Sequence, residues 1–184
     1  FKLVFSKMHK TLGGRLKVAV SGGAPLSKEI AIFLKAAGLN VLEGYGLTET
    51  SPILTINGPE WVRFGAVGQP VKDVEIKIEP EPDTERPDEG EILARGPNIM
   101  MGYYNKEDAT AEVMEPDGWF HTGDIGYVDK DGFVFITDRK KELLKTSGGK
   151  YVAPAPIENR LQLSPVIEQA CVIGNRRKFC TALL

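Results

Sequence analysis

Leu16-Lys-Val-Ala-Val20 runs directly into Ser21-Gly-Gly-Ala-Pro-Leu26. A short apolar, β-branched run that ends in a glycine pair reads as a buried strand entering a tight turn. Ser27 follows as an N-cap, with Glu29 in the first turn of a helix. Ile30, Phe33, Leu34 and Ala37 recur at helical spacing, and Gly38 stops the helix. Asn40 to Leu42 gives a second short strand. Strand, helix and strand in this order predict two parallel strands in one sheet, because a parallel pair needs a crossover of this length.

The pattern changes from about Gly65 onward. Val74, Ile76 and Ile78 alternate with charged residues, as in a half-solvated strand. Residues 79–88 are acidic and proline-rich, which predicts a surface turn or loop. Residues 91–95 read as a strand, and 105–114 as a short helix with Ala109, Val113 and Met114 turned inward. Residues 120–128 and 133–137 read as strands joined by a turn at Asp129-Lys-Asp-Gly132. Strands at this spacing suggest a small β-barrel or meander. A third region opens near Arg139 with the charged joint Lys140-Lys-Glu142 and a polar loop at 146–150. Pro156 fits the first turn of a helix over 157–163, and Pro165 ends it. Residues 166–173 read as a strand and 179–184 as the start of another, which has no evident partner and suggests that the sequence is truncated there.

Composition narrows the function. The chain has 184 residues, of which 42% are hydrophobic and 26% charged, enough for a sizeable core. A net charge of −2 gives no electrostatic case for nucleic acid. No apolar run is long enough to span a bilayer, and the first ten residues lack the layout of a signal peptide. Cys171 and Cys180 show no metal or redox spacing and are expected as small buried hydrophobes, which points to a reducing cytoplasm.

Four segments carry chemistry. In Leu42-Glu-Gly-Tyr-Gly-Leu-Thr-Glu-Thr-Ser-Pro52, Gly44 and Gly46 let backbone approach a ligand, and Tyr45 offers a flat face for a base. Thr48 offers a hydroxyl to a phosphate, and Glu49 a carboxylate to Mg²⁺. The plainer alternative is a glycine-rich strand-to-helix turn with a capping Thr and a solvated Glu. Ser21-Gly-Gly-Ala24 can lie flat against a planar ligand or be a simple turn, and it is not a G-x-G-x-x-G dinucleotide loop. In Gly118-Trp-Phe-His-Thr-Gly-Asp124, an ionised Asp accepts hydrogen bonds and suits paired ribose hydroxyls. His121 there is expected to be a packed structural residue and Trp119 a core residue. In Thr137-Asp-Arg-Lys-Lys-Glu142, Arg139 could reach ribose or phosphate, or sit on a solvated turn.

Together, and with Gly90-Glu-Ile-Leu-Ala-Arg-Gly-Pro-Asn98, Gly102-Tyr-Tyr104 and the run Lys145-Thr-Ser-Gly-Gly-Lys-Tyr-Val-Ala-Pro-Ala-Pro-Ile-Glu158, these segments resemble the adenylate-forming superfamily. That superfamily contains acyl-CoA synthetases, luciferases and peptide-synthetase adenylation domains. Within the 145–158 run, Thr146-Ser-Gly-Gly-Lys-Tyr-Val-Ala-Pro154 looks like the long-chain fatty acyl-CoA synthetase branch. The resemblance implies the α/β and β-barrel part of a large N-terminal domain over 1–139, followed by the start of a small α+β C-terminal domain over 140–184. It implies adenine stacking by Tyr45, an α-phosphate contact by Thr48, and Mg²⁺ ligation by Glu49. It implies that Gly22, Gly23 and Ala24 flank the adenine, that Gly44 and Gly46 border the nucleotide, and that Asp124 and Arg139 hold the ribose. It further implies a hinge at Lys141 and a coenzyme A path along Ser147, Gly148, Gly149 and Lys150. ATP, Mg²⁺, coenzyme A and a fatty acid are the implied ligands, and peripheral membrane contact and a homo-oligomer are compatible with it.

The sequence departs from that family in what it lacks. The family's Ser/Thr/Gly-rich phosphate loop and its C-terminal catalytic lysine are not among these residues, so the 184 residues alone are expected to be inactive. Other acyl or aryl acid ligases of the superfamily, and a non-catalytic nucleotide-binding relative, are the alternatives. Intact Thr48, Glu49, Asp124 and Arg139 argue against the last.

Overall fold

The computed structural model describes residues 2–80, 87–140, 143–149 and 151–184. Helix α1 (Lys2–Thr11) leads to strand β1 (Ala19–Ser21), helix α2 (Lys28–Ala36) and strand β2 (Val41–Tyr45). The expected crossover is present. Ser27 caps α2 by accepting from Ile30 N at 3.2 Å, and Gly38 leaves the helix at φ +84°. β1 and β2 pair in parallel, with Ala19 opposite Val41. Both strands start later than the apolar runs suggest, and the helix α1 was not foreseen. β2 continues into a single 3₁₀ turn at Thr48–Thr50. Two short strands, β3 (Thr55–Ile56) and β4 (Gln69–Pro70), add antiparallel partners and complete a four-stranded sheet.

An antiparallel meander follows, of β5 (Glu75–Pro80), β6 (Gly90–Arg95), β7 (Phe120–Val128) and β8 (Val134–Arg139), with the short helix α3 (Glu107–Ala111) between β6 and β7. The β7–β8 turn forms as expected. The Asp129 carboxylate accepts from the backbone N–H of Asp131 and Phe133, each at 2.9 Å. Among the described residues the barrel does not close. β5 pairs only with β6, while the far edge of β8 meets the chain before β4 through a bridge at Gly68 and Val134. The meander therefore turns a corner into the first sheet. The core sits at that corner, where Tyr45, Leu54, Val74, Ile92, Ala94 and Val134 pack together. Most of the acidic loop, residues 81–86, lies outside the described residues.

The C-terminal region carries two small hairpins around helix α4 (Pro154–Gln162): β9 (Leu144–Lys145) with β10 (Tyr151–Val152), and β11 (Cys171–Ile173) with β12 (Thr181–Leu183). Four expectations change here. α4 starts at Pro154, so that proline takes the first position of the helix, where its missing N–H costs nothing. The strand read over 166–173 shrinks to three residues, and the last strand does have a partner, antiparallel β11. Cys171 is exposed and Cys180 half-buried, because a two-stranded sheet covers only one of its faces. No helix among the described residues is long and apolar enough to cross a membrane.

Candidate active site

A cleft of about 550 Å³ opens where the end of β2, the Ser21–Leu26 turn, β7, β8 and the start of α4 converge. That size suits a small-molecule ligand. Its floor is a carboxylate. Asp124 is 4% exposed, and one of its oxygens accepts from the Tyr45 hydroxyl at 2.7 Å. Its other oxygen faces Arg139 Nε at 3.3 Å. Residues 45, 124 and 139 are brought together because β7 and β8 pair Asp124 with Arg139 directly, while β2 ends beside them. Burial and the neighbouring Asp124 charge push the Tyr45 phenol far above its ordinary value, so it stays a donor.

Glycines form the opposite wall. The Cβ of a residue at Gly22 would come within 3.1 Å of the Gly44 carbonyl, so a side chain there would have to push the turn a few tenths of an ångström off β2. At Gly46 a Cβ would overlap the Pro52 carbonyl. Gly23, Ala24, Gly44, Tyr45 and Gly46 all line the cleft. Glu43, nine-tenths buried on β2, accepts from the backbone N–H of Leu26 and of Gly65, and burial raises its carboxyl. It ties the Ser21–Leu26 turn to the strand beneath it, a role that sequence reading missed.

Thr48 and Glu49 lie past the rim of the cleft, on the 3₁₀ turn. Thr48 is exposed and Glu49 half-buried. The Glu49 carboxylate accepts from the Tyr103 hydroxyl at 2.9 Å. The Thr48 hydroxyl and Glu49 carboxylate are hard oxygen donors on one short turn, which is the donor chemistry that suits Mg²⁺ alongside phosphate oxygens.

A family model described as AMP-binding enzyme matches residues 2–104, and one described as AMP-binding enzyme C-terminal domain matches residues 141–184. The chain belongs to the AMP-binding enzyme family. The long-chain-fatty-acid–CoA ligase FadD15 of Mycobacterium tuberculosis is 45% identical over 183 residues, which cover 100% of this chain and 29% of that protein. The long-chain-fatty-acid–CoA ligase ACSBG2 of Xenopus laevis is 40% identical over 185 residues, covering 100% of this chain and 25% of that protein. Among solved structures, the o-succinylbenzoate coenzyme A synthetase of Bacillus subtilis in complex with AMP superimposes with a TM-score of 0.80 at 31% identity, over 96% of this chain and 39% of that one. The chain thus spans between a quarter and a third of the length of these curated relatives.

In this AMP-binding enzyme chain the remaining expected residues lie apart from the cleft or outside the described residues. Ser147 N donates to Arg177 O at 2.9 Å, and Gly149 N to Thr146 O at 2.9 Å. Gly148 has open space around it. None of these three lines the cleft. Lys141 and Lys150 lie outside the described residues. Arg176 N donates to Lys145 O at 2.7 Å, so the exposed basic turn at 176–178 is stitched to the loop that begins at 145. A separation of 31 positions hid that pairing from sequence reading. Ala155, Pro156 and Asn159 of α4 also line the cleft and were not anticipated.

His121 is less isolated than its sequence neighbours suggested. Its ring nitrogens lie 3.3 Å from Glu91 and 3.1 Å from Glu115, with Glu79 at 3.9 Å. Glu91 also accepts from Lys140 Nζ at 2.8 Å and Gly123 N at 3.0 Å. Burial alone would raise the Glu91 carboxyl, but Lys140, His121 and Gly123 together hold it below the usual range. With the Glu91 oxygens already matched by these donors, the cluster reads as an internal ion network that anchors the end of β8. Trp119 is not core either. It is half-buried, with the Arg95 guanidinium 4.6 Å from its ring centre and Lys77 at 5.7 Å.

Proposed function

We propose that this chain supplies one wall of the adenylate site of an AMP-forming ligase that joins long-chain fatty acids to coenzyme A. One observation carries the reading: a buried carboxylate, Asp124, held by Tyr45 and Arg139 at the floor of a glycine-walled cleft. A carboxylate with lone pairs facing a cleft suits the two hydroxyls of a ribose, and the glycine wall suits a planar base. Long-chain specificity is supported by the names of the relatives at 40–45% identity. The o-succinylbenzoate synthetase is a structural neighbour as well, so an aryl acid is the competing substrate class.

The residues divide the work. The glycine turn and the ring of Tyr45 hold the base, and Asp124 with Arg139 holds the ribose. This orients the α-phosphorus toward Thr48 and Glu49 on the adjoining turn. A fatty carboxylate oxygen then attacks the α-phosphorus, the bond to the pyrophosphate oxygen breaks, and acyl-AMP forms. The protein's part in that step is positioning and charge stabilisation. Glu49 and Thr48 would hold Mg²⁺, which when bound neutralises charge on the phosphates. In the second step the coenzyme A thiol loses its proton to solvent, its sulfur attacks the acyl carbonyl, and AMP leaves with the bonding pair. We assign residues 1–139 to the large domain and 140–184 to the small one, with Lys141 as the hinge. Ser147, Gly148, Gly149 and Lys150 are assigned to the pantetheine path.

Pyrophosphate exchange in the complete protein tests the reading, with long-chain, medium-chain and aryl acids compared. Exchange should be strongest with long-chain acids and should fall roughly 100-fold in Asp124→Ala, the scale of losing one preorganised polar group. Exchange supported only by aryl acids would overturn the substrate, and exchange unaffected by Asp124→Ala would overturn the site. The 184 residues alone should show none.

A further inference from the structure

Glu49 sits on a turn of only three residues, which by itself would hold a side chain loosely. The segment 98–103, fifty residues further along, fixes it. Asn98 Nδ2 donates to the carbonyls of Thr50 and Ile53, each at 2.8 Å, and Met100 N donates to the Glu49 carbonyl at 2.8 Å. Thr50, fully buried, donates to Pro52 O at 2.7 Å and accepts from Leu47 N at 2.9 Å. The backbone under Glu49 is therefore pinned from both sides.

Among the described residues, one group holds the side chain. Tyr103 Oη donates to Glu49 Oε1 at 2.9 Å. Tyr103 is itself placed by its backbone N–H, which donates to Thr110 Oγ1 at 2.9 Å. Gly102, at φ +146°, lets the chain pass within reach of Thr110, where a Cβ would come 2.9 Å from that side chain. The next residue, Tyr104, is 91% exposed. Of the two adjacent tyrosines, Tyr103 is half-buried against Glu49 and Tyr104 is exposed.

The chemistry of the donor matters. A lysine or arginine on Glu49 would cancel its charge, and no such ion pair is present among the described residues. A phenol is neutral. It fixes one carboxylate oxygen by a hydrogen bond, leaves the full negative charge, and leaves Oε2 for a cation. A phenol ordinarily loses its proton only near pH ~10, so Tyr103 is a donor in neutral solution.

We propose that Tyr103 is a positioning residue for the metal-binding carboxylate, orienting Glu49 so that its second oxygen faces the cation that accompanies the nucleotide. The proposal rests on the reading of Glu49 as the Mg²⁺ ligand. Removing an outer hydrogen-bond partner of a metal ligand typically weakens metal affinity about 10- to 100-fold.

The experiment uses the complete protein with Tyr103→Phe, Tyr104→Phe, Glu49→Gln and Thr110→Val. ATP binding is measured by calorimetry with and without Mg²⁺, and adenylation is titrated with Mg²⁺. Tyr103→Phe should raise the half-saturating Mg²⁺ concentration roughly tenfold. It should leave metal-free ATP affinity unchanged, and saturating Mg²⁺ should restore the maximal rate. Thr110→Val, which keeps the phenol but loosens its backbone, should shift the same way by less. It also keeps the test decisive if the Phe variant folds poorly. Tyr104→Phe should match wild type. A shift in Glu49→Gln with none in Tyr103→Phe would overturn the positioning role alone. No Mg²⁺ shift in Glu49→Gln would overturn the metal assignment, and the positioning role with it. A loss in Tyr103→Phe that Mg²⁺ cannot restore, with metal-free ATP binding also weakened, would mark Tyr103 as merely structural.

Discussion

Tyr45→Phe separates two roles that a single side chain combines. Phenylalanine keeps the ring face toward the cleft and removes only the hydroxyl, which donates at 2.7 Å to Asp124. Tyr45 is 8% exposed and the Asp124 side chain 6%, so water cannot readily replace the lost donor. Losing one donor to a buried charged acceptor costs about 1–3 kcal/mol. Arg139, 62% exposed, recovers little of this, since exposed ion pairs contribute about 0–1 kcal/mol. The variant should therefore be about 2 kcal/mol less stable at pH 8 in urea unfolding of the complete protein. The pH dependence gives an independent check. The folded state holds the Tyr45 proton above the ordinary value of 10.0, so the unfolded state releases it first and stability falls as pH rises past 10. The slope is up to about 1.4 kcal/mol per pH unit. The wild-type advantage should thus be constant below pH 10 and shrink above it. Nucleotide affinity should fall about tenfold, or 1.4 kcal/mol, as Asp124 loses its anchor. Equal stability of the two proteins at pH 8, or an advantage that stays constant through pH 12, would refute the buried hydrogen bond. Unchanged nucleotide affinity would mean that the ring alone serves the ligand.

Three further outcomes follow from the same geometry. Gly46→Ala puts a methyl group on the Pro52 carbonyl and should cost at least about 3 kcal/mol, whereas Gly148→Ala, with open space around it, should stay within about 0.5 kcal/mol; melting curves of both variants decide this. Neutralising Arg176, Arg177 and Lys178, which the fold places on the loop at 145–147, should raise the apparent Michaelis constant for coenzyme A several-fold and leave that for ATP unchanged; an unaltered coenzyme A dependence would make the turn merely solvated. Because Glu91 is held below its usual value in the fold, its contribution is present above about pH 4.5 and lost as pH falls through its folded value, so Glu91→Gln should flatten the acid limb of the unfolding profile between pH 5 and 3; parallel limbs would count against the Lys140 and His121 network.

Some of this was determined by the sequence alone, wherever the signal is local. The Ser27 cap, the stop at Gly38 and the parallel pair around α2 follow from residues a few positions apart, and the structure has them. The Asp129 turn follows likewise from an Asp and a Gly three residues apart. Family membership was legible because several short motifs occur in a fixed order, and order survives in a sequence even when the contacts do not. Boundaries were less legible: β1 and β11 are shorter than their apolar runs, since a hydrophobic residue can be buried without joining a ladder. Tertiary structure decided what depends on residues distant in the chain. The sheet stays unclosed among the described residues because β8 meets Gly68 instead of β5, a pairing between segments 66 positions apart. Tyr45 and Asp124 are 79 positions apart, and Glu49 and Tyr103 are 54. A tyrosine hydroxyl can bond any acceptor it reaches, so its residue type names no partner, and only the packing of β2 against β7 and of segment 98–103 against the 3₁₀ turn selects one. The same reason placed His121 among three carboxylates that its neighbours in sequence gave no sign of.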